Sequence, residues 1–220
     1  MAASNSTTRT KGVLVTDFDG TMTTNDFYKL TIESLLPADV PNYWAQYRAG
    51  GITHFAALRA YFASIRKSED EVLDVVRHMK LDPGVPAAVD RLKQSGWRVV
   101  ITSAGCDWYI RYLLGSIAIE IHANPGRFES GKGLLMEMPT ESPFWSPTLG
   151  VDKAAVVRHY LNEGLTVAFA GDGFPDADPA HLVADELRFA RADLADTLRH
   201  QGFPFRSFQA WSHIADMLLK

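Results

Sequence analysis

Cysteine is almost missing from this 220-residue chain: Cys106 stands alone. A single thiol excludes an internal disulfide framework and a cysteine-rich metal site, and it fits a reducing, cytoplasmic setting. An excess of positive charge is missing too. Lys and Arg number 22 against 26 Asp and Glu, a formal charge of −4, which leaves no basic footprint for nucleic acid or an anionic membrane surface. No apolar run is long enough to span a bilayer. The stretch 1–11, rich in Ser, Thr and Asn, lacks the apolar centre of a secretory signal and reads as a disordered polar tail.

What the chain does contain is an ordinary globular complement, 46% hydrophobic and 22% charged. Its length suits one large domain or a core with a smaller insert. Val13–Thr16 is an apolar, β-branched run of the kind that forms a buried parallel strand. It leads straight into Asp17-Phe18-Asp19-Gly20-Thr21, where Gly20 permits an immediate turn. From Thr23 to Leu81 there is no strand signal. Helical periodicity covers 26–36 and 53–65, an aromatic stretch covers 40–48, and Ser68–Glu71 has the form of a capping box. After the Asp82-Pro83-Gly84 turn the rhythm alternates. Helices are predicted over 85–94, 107–114, 152–161, 192–200 and 211–219, and strands over 98–102, 117–122 and 166–170. Short edge strands fall at 187–190 and 203–205, and Asn124–Pro147 reads as a hairpin and loop. This order predicts an α/β fold: a doubly wound, Rossmann-like parallel sheet from 12–22 and 83–220, with an inserted all-helical cap over 23–82.

Three predicted strands end in polar clusters: Asp17 and Asp19; Thr102-Ser103-Ala104-Gly105; and Gly171-Asp172-Gly173-Phe174-Pro175-Asp176. In a parallel sheet these ends share one edge, where open α/β folds bind ligands. Lys153, near a helix start, can reach the same edge. Carboxylates so close together persist as ions only beside positive charge, usually a divalent cation. The chemistry reads as attack on phosphorus by Asp17, forming an acyl phosphate. Asp19 protonates the leaving alcohol and later takes a proton from water. Mg²⁺ would be held by Asp17, the backbone carbonyl of Asp19 and Asp172, with Asp176 orienting a metal-bound water or completing the acidic cluster. Ser103 and the N–H groups of Ala104 and Gly20 would hold phosphoryl oxygens, and Lys153 would bind the phosphoryl group and keep Asp17 ionised. Ser103 also reads as a helix N-cap, Asp178 as a cap, and Cys106 as a packed thiol. An Asp-x-Asp pair also serves as a metal clamp in nucleotide-sugar glycosyltransferases, but that leaves Lys153 and the 171–176 loop without a role. Phe27, Tyr28, Tyr43, Trp44 and Tyr47 mostly pack between cap helices, one or two of them facing the site.

In order, Asp17-Phe18-Asp19-Gly20-Thr21, Ser103, Lys153 and Gly171–Asp176 resemble the motifs of the haloacid dehalogenase superfamily: Asp-x-Asp-Gly-Thr, Ser or Thr, Lys, and Gly-Asp-Gly-x-x-Asp. The helical insert resembles the cap of the phosphoserine phosphatase-like branch. Within that branch, 17–26, 103–110, 122–124 and 202–208 are similar to the methionine-salvage phosphatases that act on 2-hydroxy-3-keto-5-methylthiopentenyl-1-phosphate. Pro147–Asp152 here replaces a longer, cysteine-containing loop of those relatives. The resemblance implies a Mg²⁺-dependent phosphomonoester hydrolase of a small phosphorylated metabolite, working through an aspartyl phosphate, as a monomer or homodimer. A lid of this size favours a small enclosed substrate. A phosphoserine phosphatase, clamping an amino acid with Glu33, Arg48 or Arg59, is the second enzymatic reading. A mutase would share Asp19, and a non-catalytic binding domain of the same fold is the alternative of another class.

Overall fold

The computed structural model describes residues 10–220. The expected tail over 1–11 therefore lies almost wholly outside the described residues. Strand β1 (Gly12–Thr16) is buried at every position. Four helices follow it without an intervening strand: α1 (Phe27–Ser34), α2 (Tyr43–Arg48), α3 (His54–Ala63) and α4 (Glu69–Arg77). Alternation then begins with α5 (Val85–Gln94), β2 (Trp97–Cys106), α6 (Asp107–Leu114) and β3 (Glu120–Asn124). Two small antiparallel pairs come next, β4 (Gly126–Glu129) with β5 (Gly133–Met136) and β6 (Trp145–Ser146) with β7 (Gly150–Val151). The chain closes with α7 (Lys153–Asn162), β8 (Thr166–Gly171), α8 (Ala177–His181), β9 (Arg188–Ala190), α9 (Ala192–Gln201), β10 (Arg206–Ser207) and α10 (His213–Leu218).

The central sheet has the order β10-β9-β8-β1-β2-β3, and every pairing in it is parallel. Its central strands β1 and β8 are buried along nearly their whole length because both faces of the sheet are covered there. Leu14 and Ile101 point into a core shared with α5, α6 and α10, whereas Val13, Val15 and Phe169 point into the opposite one, under α7 and α9. Register fixes the functional edge. Thr16 pairs with both Ile101 and Ala170, and the Asp17 N–H donates to the Ala170 carbonyl at 2.9 Å. The residues that follow β1, β2 and β8 must therefore emerge side by side.

Helices α1–α4 leave and rejoin the sheet at one point. Thr23 and Leu81 form an isolated bridge, and the Asp82 N–H donates to the Met22 carbonyl at 3.0 Å. The starts of these helices are encoded locally. Asn42 caps α2, Thr53 caps α3, and the Ser68–Glu71 capping box is formed as read. The Phe55 N–H, in the first turn of α3, donates to the Thr148 carbonyl at 2.9 Å, tying this layer to the β6–β7 turn.

Some boundaries differ from expectation. The second strand does not stop at Thr102 but runs to Cys106, so Ser103 lies inside an irregular strand end and caps no helix. The strand expected over 117–122 starts only at Glu120, because Gly115, with φ +55°, and the Ile117 N–H to Leu114 carbonyl bond form a turn after α6. Residues 187–190 do not form an edge, since β10 lies outside β9. Phe203–Phe205 is not a strand: the Phe203 N–H closes α9 on Leu198 and Pro204 has none to offer a ladder. Asp178 sits in the first turn of α8 and caps nothing.

Candidate active site

The edge gathers every polar cluster read from the sequence. Asp17, 5% exposed, accepts a hydrogen bond from the Lys153 Nζ at 2.7 Å on its Oδ1. The same ammonium donates to Asp176 Oδ1 at 2.6 Å. Lys153 is placed there by its helix. Asp152 accepts from the Ala155 N–H at 2.9 Å and caps α7, which sets Lys153 as the first helical residue, facing inward and 4% exposed. Burial works against its charge, but Asp17 and then Asp176 outweigh that cost and raise its pKa above the ordinary lysine value.

Asp176 stands in the acidic cluster with Asp17 and Asp172, and both of its oxygens have further partners. Its Oδ1 holds Lys153, and its Oδ2 accepts the N–H groups of Asp172 and Gly173, both at 3.0 Å. It anchors the lysine and shapes the 171–176 loop. Asp172 faces Asp17 across Thr21, whose hydroxyl donates to Asp172 Oδ1 at 2.8 Å. Gly20 has φ +70°, and a side-chain carbon there would overlap the Asp172 carboxylate. That close approach, rather than a free donor, is its role: the Gly20 N–H is taken by Thr23 Oγ1 at 3.1 Å, which corrects its expected place as a phosphate donor. The Phe18 N–H instead lies against the Asp17 carboxylate and favours its charged form. Ser103 is buried, and its Oγ accepts the Gly105 N–H at 3.0 Å. The Ala104 carbonyl accepts from Asn124 Nδ2 at 2.7 Å, which pins the strand end that carries Ser103.

The acids repel one another. Burial, then the neighbouring Asp17 and Asp176, pushes Asp172 up to about 9. Burial, against the pull of Lys153, brings Asp17 to about 6, and burial with the Asp17 charge takes Asp19 to about 7. Oxygen atoms of Asp17, Asp172 and Asp176 lie within 4.8 Å of one another. An all-oxygen donor set under this much like-charge strain fits a hard divalent cation such as Mg²⁺. Asp17 and Asp172 each keep an oxygen outside the Lys153 and loop contacts, whereas both oxygens of Asp176 are engaged.

The acids open into a cavity of about 600 Å³ roofed by α1–α3. Its lining includes Tyr28, Trp44, Tyr47, His54, Leu58 and Phe62 above Asp17, Asp19, Ser103, Ala104 and Lys153. Three of the five aromatic candidates thus face the site. Phe27 is fully buried and Tyr43 packs edge-on against Tyr61. Arg48 lines the cavity, whereas Glu33 and Arg59 do not. Burial lowers the His54 imidazole to about 4, so it is neutral near pH 7. Sequence reading gave no role to Thr21, Asn124, Tyr109 or Arg191. Tyr109 bonds Asp19, and Arg191 grips the carbonyls of Gly20, Thr23 and Gln209. Thr21 carried a signal as the last residue of the first motif, and Tyr109 and Asn124 lie in the segments 103–110 and 122–124 that carry the family resemblance; Arg191 carried none.

A family model described as haloacid dehalogenase-like hydrolase matches residues 14–178. The 2-hydroxy-3-keto-5-methylthiopentenyl-1-phosphate phosphatase of Brevibacillus brevis is 24% identical over 214 residues, covering 94% of this chain and 95% of that protein. Among solved structures, a HAD family hydrolase from Salmonella enterica serovar Typhi superposes with a TM-score of 0.68 at 15% identity, over 91% of this chain and 67% of that one. A phosphoserine phosphatase from T. onnurineus gives 0.61 at 17% identity, over 98% of both chains. At these identities the two structures show a shared fold.

Proposed function

This enzyme belongs to the haloacid dehalogenase-like hydrolase family, and on that premise we propose that it hydrolyses the phosphate monoester of a small metabolite through an aspartyl phosphate, with Mg²⁺. One observation carries the reading: a buried ammonium bridges Asp17 and Asp176 at 2.7 and 2.6 Å, while Asp17 also faces the cavity that holds Asp19.

In the mechanism Lys153 fixes Asp17 by one oxygen and leaves the other to form the bond to phosphorus. The P–O bond to the leaving group breaks as the Asp19 proton passes to that oxygen. Water then attacks phosphorus, gives its proton to Asp19, and frees Asp17 as inorganic phosphate departs. Ser103 Oγ and the Ala104 N–H, with Lys153, would bind phosphoryl oxygens. Asp17, the Asp19 carbonyl and Asp172 would hold Mg²⁺. When bound, the ion supplies positive charge that offsets the repulsion between Asp17 and the phosphoryl group. We read α1–α4, residues 23–82, as a cap that excludes water from this chemistry.

The cap wall favours an uncharged leaving group. Leu58, Phe62, Trp44 and a neutral His54 line it; of its charged groups, Lys29 is paired to Asp26 at 2.5 Å, and Arg48 lines it without Glu33 to complete a clamp. That composition suits a sugar phosphate of the methionine-salvage type better than phosphoserine, whose amino-acid end needs a paired clamp. The single buried thiol fits a cytoplasmic setting. Purified protein should turn over p-nitrophenyl phosphate with Mg²⁺, and Asp17→Asn should abolish this. Among natural esters, neutral sugar phosphates should exceed phosphoserine in kcat/KM. A folded wild-type protein inactive on every ester would favour a binding domain instead.

A further inference from the structure

Asp19 must be held in one orientation while it gives and takes a proton, and the structure shows what holds it. The Tyr109 hydroxyl, on α6, donates to Asp19 Oδ2 at 2.9 Å, and the Phe27 N–H donates to Oδ1 at 3.1 Å. We propose that Tyr109 is a positioning residue for proton transfer to the leaving group. This inference rests on the phosphatase reading above and deepens it.

Three observations support it. The phenol is fixed, because Tyr109 is 1% exposed and its ring packs 4.6 Å from Phe27 and 6.3 Å from Phe62. Its hydroxyl has a dedicated route: a side-chain carbon at Gly105 would overlap it, so the second polar strand end carries glycine where the hydroxyl passes toward Asp19. The bond also points usefully. With the Phe27 N–H on Oδ1 it holds both oxygens of the carboxyl group, so Asp19 cannot turn away from the leaving group. With a good leaving group the P–O bond breaks without the Asp19 proton, so the tyrosine then matters little for phosphoryl transfer from the ester, which kcat/KM reads, although the water step that follows uses Asp19 with either ester.

The test is Tyr109→Phe, assayed on two esters with the same preparation: an alkyl phosphate with a poor leaving group and 2,4-dinitrophenyl phosphate with a good one. Because both rates come from one sample, any loss of folded protein cancels in their ratio. Loss of a hydrogen bond to a charged group corresponds to roughly 10–100-fold. We expect kcat/KM to fall by about that factor on the alkyl ester and by less than about threefold on the dinitrophenyl ester. Equal losses on both esters, or no loss on either, would overturn the inference while leaving the hydrolase reading intact. Wild-type enzyme inert toward both esters would overturn the two together.

Discussion

Lys153→Met removes the charge on which the site's electrostatics turn and keeps most of the side-chain volume. The ammonium sits 2.7 Å from Asp17 and 2.6 Å from Asp176, and all three side chains are nearly inaccessible. Breaking a buried pair by deleting one partner costs about 3–5 kcal/mol, since the remaining charge stays uncompensated. For a chain of this size that is roughly a 6–20 °C fall in Tm. The loss depends on pH. Asp17 already holds its proton up to about 6 through burial, and without the ammonium it holds it higher still. A carboxylate whose folded-state pKa is raised gives stability that is present at low pH and lost as pH rises through that pKa. The gap to wild type should therefore be narrower at pH 5 than at pH 8. Thermal unfolding followed by near-ultraviolet circular dichroism, with chelator present, measures this. An equal gap at both pH values, or a wider gap at pH 5, would refute the argument.

The same sign governs the parent protein. Asp17, Asp19 and Asp172 are all raised, to about 6, 7 and 9, so metal-free Tm should fall between pH 5 and 9 and Mg²⁺ should restore it at the alkaline end. Asp172→Asn should raise the metal-free Tm at pH 8 and abolish both the Mg²⁺ shift and turnover, as paired melts would show. Gly20→Ala forces a side chain into φ +70° against Asp172; a loss of about 1–3 kcal/mol by urea denaturation and a weakened Mg²⁺ response are expected. Ser68→Ala breaks the α4 capping box far from the acids. It should cost about 1 kcal/mol and leave kcat unchanged, which steady-state kinetics checks.

The parts of the site that were legible in the sequence are those where local rules and tertiary demands agree. Val13–Thr16 reads as a buried strand because both faces of β1 are covered, and Asp17 follows it because the sheet edge begins there. Asp152 and Lys153 read as cap and first helical residue because a side-chain cap is local. What stayed hidden was long-range. Tyr109 repeats with Ile110 and Leu114 as an ordinary apolar face of α6, and only the fold brings its hydroxyl to a residue ninety positions earlier. Arg191 shows nothing in sequence, since its partners are backbone carbonyls of a distant turn. Gly20 was read as a donor because its tight turn was visible, while the Thr23 hydroxyl that uses its N–H was not. Phe203–Phe205 looked like a strand by composition, but the closure of α9 by Gly202 in the left-handed region fixed its backbone otherwise.

The most direct test of the account is to trap the covalent step. Wild-type protein is mixed with a phosphate ester and Mg²⁺, quenched in acid within a turnover, and its peptides are weighed by mass spectrometry. The account predicts a phosphoryl group on the peptide carrying Asp17, absent from Asp17→Asn and from protein without Mg²⁺. Phosphoryl transfer to another residue, or undiminished turnover by Asp17→Asn, would contradict it.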